Sequence, residues 1–353
     1  MCAPRRYLHK TASCPGVFTL RHPEWAPPRR PHYHTHITTM HSVNKITHFR
    51  RYPDYDYSRG GSMFISFHLE PRIGVFGQIT PDGQMLLSQA GLVLDEIINT
   101  ERQKHPEIAI RSYRIMPEHL HFRLTFAAGL DKPLYRIGRF VHDIKRLSKA
   151  KLAHIGISIS WQENYHDFIC LNKEINEKVD EYIQLNPMKW ALMHGAGHPM
   201  KVTEPLYSRL ISPGEWWAGV GNEALLQSNY PLLSIRLSRN LDINAASNVI
   251  PNIVGECKKG LLPISTFISP MEKALFYRLQ QENLPFICAV PDELKTIYRP
   301  RTEQTMLFAQ NRLLLLSHHQ RTYTSRYEAW HSINDDIAKM AIASGGRQIY
   351  IRA

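Results

Sequence analysis

The stretch Tyr113-Arg-Ile-Met-Pro-Glu-His-Leu-His-Phe-Arg-Leu124 decides how this chain is read. Met116-Pro117 breaks it into two runs, one strand over about 108–115 and a second over 119–126. Successive side chains in a strand point to opposite faces, so His119 and His121 project together while Leu120 turns into a core. Two imidazoles on one strand face can hold a divalent cation from one side and leave other positions open for a phosphate oxygen. A bare His-x-His pair is equally what a surface strand carries by chance.

Upstream, Met63-Phe-Ile-Ser-Phe-His-Leu69 reads as a strand, Pro81-Asp-Gly83 as a turn, and Ser88 to about Gln103 as a helix with Leu92, Val93 and Ile97 at helical spacing. Downstream, a basic helix over 133–153 is followed by a short strand at 155–160 and a helix over about 173–185. That alternation predicts an α+β domain, an antiparallel sheet with helices on it. In the last helix Tyr182 and Asn186 lie four apart and share a face, and Pro187 places Asn186 at a frayed end. A tyrosine hydroxyl becomes a nucleophile when a cation eases its deprotonation or a metal polarises the electrophile, and an asparagine carbonyl suits a hard metal. Most tyrosines in mid-helix serve packing instead.

Beyond Pro187 the texture changes. Gly and Pro punctuate residues 196–230, read as a linker, and apolar runs at 232–237, 261–268, 286–290 and 313–316 then alternate with helical segments. Buried runs between helices predict a parallel sheet, a Rossmann-like α/β domain over 231–353. Ser269-Pro-Met-Glu272 marks a helix start with a capping serine, a first-turn proline and a glutamate three residues on. There is no G-x-G-x-x-G and no Walker A loop.

The 353 residues carry a net charge of +12, unevenly spread. Residues 1–52 hold nine Lys/Arg and one acid, Glu24, residues 53–199 are neutral, and the remainder carries +4. Residues 1–50, rich in Pro, Arg and His, show no periodicity and read as a disordered basic tail suited to phosphates or to solubility alone. Its seven histidines define no ordered metal site. No apolar run spans a membrane and no h-region follows the amino terminus, so neither a membrane anchor nor a secretory signal is expected. Five scattered cysteines with no C-x-x-C pair fit a reducing, cytoplasmic (nucleoid-associated) setting rather than a disulfide scaffold.

Asp54-Tyr-Asp-Tyr-Ser-Arg-Gly-Gly-Ser-Met-Phe-Ile-Ser66, Phe76-Gly-Gln-Ile79, Met116-Pro-Glu-His-Leu-His121, Trp161-Gln with Tyr165-His-Asp-Phe168, and Tyr182-Ile-Gln-Leu-Asn-Pro187 occur in that order. Over about residues 51–195 this series resembles the HUH single-tyrosine transposases, in particular the REP-associated tyrosine transposase branch. The resemblance implies a ferredoxin-like α+β core acting on single-stranded DNA, often as hairpin ends. It implies Mg²⁺ or Mn²⁺ held by His119 and His121 and completed by Asn186, with Tyr182 as the nucleophile forming a 5′-phosphotyrosine. It is compatible with a homodimer. The chain departs from the family at Glu118, where Asn is common, and at Met188-Lys-Trp-Ala191, where Val-Arg-Ala-Gly is common.

Arg136, Arg139, Lys145, Arg146, Lys149 and Lys151 on the basic helix are suited to phosphates or to a solvated face. Trp161, Tyr165 and His166 could stack on unpaired bases or fill a core. The second half vaguely resembles the Rossmann-like fold of DNA-processing proteins and lysine-decarboxylase-like nucleotide hydrolases, whose strand ends near Ser238-Arg239 and 265–269 would face a ligand; an accessory or dimerisation role fits equally. Two further readings stand beside the transposase-like enzyme: a domesticated, non-catalytic single-stranded DNA or hairpin binder, and a hydrolytic metallo-phosphoesterase.

Overall fold

Alternation of apolar and polar residues builds the first sheet. The computed structural model describes residues 55–195, 199–241, 243–318 and 322–352; the basic tail over 1–50 lies outside them. After a 3-10 turn at Tyr57–Arg59 come β1 (Gly61–His68), a small antiparallel hairpin of β2 (Gly77–Ile79) and β3 (Met85–Leu87), and α1 (Gln89–Lys104). Then follow β4 (Ile108–Ile115), β5 (His119–Phe126), α2 (Pro133–His154), β6 (His166–Cys170) and α3 (Lys173–His194). The sheet order is β4-β5-β1-β6, and every pair is antiparallel.

The two faces of this sheet have different fates. Met63, Ile65, Phe67, Leu120, Phe122 and Leu124 point to one side, where Leu94 and Ile98 of α1 and Ile137, Phe140 and Ile144 of α2 cover them. Phe64 and Cys170 point to the other side, against Val179 and Ile183 of α3. Ser88 caps α1, accepting from the Gly91 amide, and Asn172 caps α3, accepting from the Ile175 amide.

Two local expectations are corrected. Residues 155–160 form no strand: Gly156 adopts φ +79°, and Ile157 and Ile159 pack against the α1/α2 core without a ladder, the last strand being β6. Helix α3 does not fray at Asn186 but runs through Pro187 to His194. A mid-helix proline costs about 3 kcal/mol, and the residues beyond it supply the offset, since Leu192 joins the core of the second sheet.

The second half contributes β7 (Ala218–Gly221), a short α4 (Ala224–Gln227), β8 (Leu232–Leu237), α5 (Ile243–Lys258), β9 (Leu262–Ser265), α6 (Pro270–Gln281) and β10 (Phe286–Val290). It closes with α7 (Thr302–Ala309), β11 (Leu313–Ser317), α8 (Arg326–Ala343) and β12 (Arg347–Ile351). The order is β12-β8-β9-β10-β11-β7, parallel throughout except for β7 against β11. The stretch over 196–230 is therefore more than a connector: it holds that antiparallel edge strand and the fully buried Trp217. The described residues from 55 onward form one compact unit, in which α3 docks on α7. Among the described residues no helix is long and apolar enough to cross a membrane.

Candidate functional site

On β5 the alternation puts Leu120 fully in the core and turns His119, His121 and Arg123 to the α3 side. His119 and His121 sit opposite His68 and Ser66 of β1. Their Nε2 atoms face each other at 3.1 Å, and both Nδ1 atoms are buried without a hydrogen-bond partner. Burial holds both imidazoles neutral: it pushes His121 down to about 3 and His119 well below its ordinary value, with His121, Arg72 and His68 adding to the effect on His119. Beside His119, Glu118 lies 4.0 Å from Nδ1 and pairs with Arg72 at 2.7 Å.

Helix α3 brings the other two residues. The Tyr182 ring lies edge-on to His121 with centroids 5.4 Å apart, and edge-on to Phe64 at 5.9 Å. Asn186, 8% exposed, is within interaction range of both imidazoles and of the Tyr182 hydroxyl. Burial raises the phenol above its ordinary value, against the lowering effect of Asn186. Lys189, itself lowered by burial, lies 5.9 Å from the Tyr182 ring centroid, and the Trp190 ring lies 6.2 Å from His119.

Sequence reading missed what holds α3 in this place. Arg123, two residues beyond His121 on the same strand face, grips Asp180 with two parallel bonds of 2.6 Å, and Ser112 Oγ donates to the same carboxylate. Burial alone would raise Asp180, but the bonds from Arg123 and Ser112 outweigh it and hold the carboxyl below its ordinary value. The signal was present: an arginine in the alternating series His119, His121, Arg123 needs an acid on that face.

The other predicted residues are not brought here. The sheet separates α2 from the histidine face, because α2 covers the Leu120 side. Arg139, Arg146 and Lys149 are exposed there. Arg136 donates to the Asp131 carbonyl and lies 3.6 Å from Glu107. Lys145 donates to the carbonyls of Gln162, Glu163 and Asn164. Trp161 stacks on Phe76 at 5.4 Å, meets Phe67 edge-on and donates to Ser148, while Tyr165 packs against the same core. Both aromatics are half-buried against this core.

Does the pair fit a cation? Two ligands bonded at about 2.1 Å to one octahedral ion stand about 3 Å apart, which is the His119–His121 spacing. Neutral imidazoles with facing Nε2 atoms, unpartnered Nδ1 atoms and an amide at hand suit a divalent ion. One other group of three metal-ligating side chains occurs among the described residues: Glu101, His105 and Asp143, whose ligand atoms lie within 4.8 Å of one another. It sits between α1 and α2, where Lys104 and Arg146 already pair with its carboxylates.

No protein-family model matches the chain. An uncharacterised protein of Haemophilus influenzae is 25% identical over 174 residues, covering 44% of this chain and 96% of that protein. Among solved structures, a REP-associated tyrosine transposase bound to a REP hairpin is similar at 21% identity, with a TM-score of 0.31, over 44% of this chain and 78% of that one. A putative transposase of Deinococcus radiodurans is similar at 15% identity and a TM-score of 0.25, over 38% of this chain and 96% of its own. The DNA processing protein A of Streptococcus pneumoniae is similar at 14% identity and a TM-score of 0.32, over 60% and 75%.

Proposed function

We propose that the chain is a metal-dependent, transposase-like endonuclease and strand transferase for single-stranded DNA, with hairpin ends as substrate and Tyr182 as the nucleophile. One observation supports this reading: the Tyr182 ring on α3 lies edge-on to His121 at 5.4 Å between centroids, and Asn186 on the same helix is within range of both imidazoles, whose Nε2 atoms are 3.1 Å apart. The strand order β4-β5-β1-β6 supports a ferredoxin-like core over 51–195, with 231–353 as a Rossmann-like accessory domain.

His119, His121 and Asn186 would hold Mg²⁺ or Mn²⁺, which when bound polarises the scissile phosphate and tempers charge on the leaving oxygen. The chain's own residues do the rest. The Tyr182 oxygen attacks phosphorus, the bond from phosphorus to the 3′ oxygen breaks, the phenol gives up its proton and the 3′ oxygen gains one. The product is a 5′-phosphotyrosine and a free 3′-hydroxyl, and reversal rejoins the strand with no external energy source. Lys189 contributes positive charge beside the developing phenolate. The Arg123–Asp180 clamp fixes the register of α3, and so the distance of the attack.

One observation favours the non-catalytic single-stranded DNA or hairpin binder instead: burial raises the phenol above its ordinary value and so opposes its deprotonation. A denaturing gel decides between them. With Mn²⁺ and labelled single strands from the flanks of its own coding region, wild type should form a covalent adduct that Tyr182→Phe and His119→Ala/His121→Ala abolish. An adduct at wild-type yield in Tyr182→Phe rejects the nucleophile. Salt-sensitive binding without cleavage, indifferent to His119→Ala, establishes the binder. Multiple turnover with no trapped adduct would indicate a hydrolytic phosphoesterase.

A further inference from the structure

The second sheet carries a cavity of about 700 Å³ that the chemistry above does not use. It opens at the carboxyl ends of β8 and β9, where open α/β sheets take ligands. One helix face forms its wall: Arg326, Tyr327, Trp330, His331 and Asn334 recur at one- and four-residue spacings along α8. Tyr350 and Arg352 of the β12 end close another side.

The charge of the lining selects an anion. The lining holds four arginines and one carboxylate, Glu272. Arg326 pairs with Asp292 at 3.2 Å and Arg236 with Asp335 at 3.4 Å, which leaves Arg239 and Arg352 as the exposed cations, and Glu272 is spent. Glu272 is buried; Oε1 accepts from the Leu237 amide at 2.9 Å, and Oε2 accepts from the amides of Ile268 and Ser269 at 2.9 and 3.2 Å. This removes the usual seat. In such folds an anion sits at a helix start, where free amides converge, but at α6 the chain's own carboxylate fills that place.

An incoming anion is therefore directed to the arginines. Arg236 donates to His331 Nδ1 at 2.5 Å, with Asp335 3.4 Å away, and its guanidinium lies 4.8 Å from the Tyr350 ring centroid. Arg352 lies 4.8 Å from the same centroid. Two guanidinium groups held against one ring concentrate positive charge at this end of the cavity, which favours an anion there. Arg239 and Arg352 are exposed at the mouth. Aromatic surface is available along α8, where Tyr327, 73% exposed, meets the His331 ring at 4.1 Å between centroids and Trp330 lines the same cavity.

We propose that this cavity binds a nucleoside phosphate unit, its phosphate on Arg239 and Arg352 with Arg236 behind, its base stacked on Tyr327 and Trp330. A free nucleotide and an unpaired nucleotide of a single DNA strand present this same chemistry.

Equilibrium binding to the full chain carrying Tyr182→Phe tests it, since cleavage then plays no part and a failed adduct assay does not touch the result. The probes are deoxyadenosine 5′-monophosphate, deoxyadenosine and a short oligothymidylate. At least one phosphate-bearing probe should bind, and Arg239→Ala/Arg352→Ala should weaken it about tenfold or more, the loss expected for charge-assisted contacts. Binding of the monophosphate should exceed that of deoxyadenosine by a similar factor and stay unchanged in Arg139→Ala/Arg146→Ala/Lys149→Ala. Binding of the monophosphate without the oligonucleotide identifies a free nucleotide as the source. Oligonucleotide binding that depends on Arg239 and Arg352 identifies the strand. The proposal fails if neither phosphate probe binds, if the nucleoside binds as well as the nucleotide, or if the double variant stays within about twofold of wild type.

Discussion

His121 is almost wholly buried and His119 largely so, and the folded chain excludes protons that the unfolded chain accepts near pH 6.5. Both imidazoles are depressed in the fold, chiefly by burial, and the sign follows: below pH 6.5 the unfolded state binds more protons, and stability falls as pH drops from there towards 3. Each histidine contributes a slope of up to about 1.4 kcal/mol per pH unit. In chelator-treated protein the urea midpoint should therefore decline on acidification through this window, and less steeply in His121→Ala. A midpoint flat between pH 6.5 and 5 would contradict a buried neutral pair. The histidine pair was legible in the sequence because strand alternation is a local rule. The surroundings of Trp161 were not, since an aromatic residue suits a base or a core, and its contacts with Phe76 and Phe67 join residues far apart in the chain.

At the scale of elements, helix α1 shows how a tertiary contact reverses a local preference. Replacing glycine by alanine in an exposed helix ordinarily stabilises by about 1 kcal/mol. Gly91, in the first turn, faces the chain instead: a Cβ there would lie 2.1 Å from the Phe76 carbonyl oxygen, which also accepts from the Ser88 amide. Gly91→Ala is expected to destabilise by about 2 kcal/mol, the range for overpacking, read as a lowered urea midpoint. An unchanged or raised midpoint would mean that α1 can shift away from the sheet edge. The same balance governs α3. Its cap and amphipathic start announce a helix from Lys173, but Pro187 argues for an end that docking of Leu192 overrides.

Across the whole molecule, the helix that bears Tyr182 belongs to both halves. Its first turns cover the antiparallel sheet, its last residues enter the second core, and α7 packs along it. A fragment ending at His194 would expose Leu192 and Met193, and uncovering one leucine costs about 2 kcal/mol. We expect that fragment to unfold at lower urea than the same residues in the full chain, and to bind a hydrophobic dye. Equal resistance would show that α3 holds its place without α7. Composition changes near 195, while the helix that ends there at His194 packs on both cores.

Local chemistry was enough for the strands at 108–115 and 119–126, the capped start of α6, the parallel character of the second sheet and the common face of His119 and His121, because each follows from residues a few positions apart. Three-dimensional packing alone decided that α3 passes its proline, that Arg123 and Asp180 clamp it, that α2 stands behind the sheet from the histidines, and that Glu272 fills the start of α6. Each of those depends on residues tens of positions apart whose meeting has no periodicity to announce it.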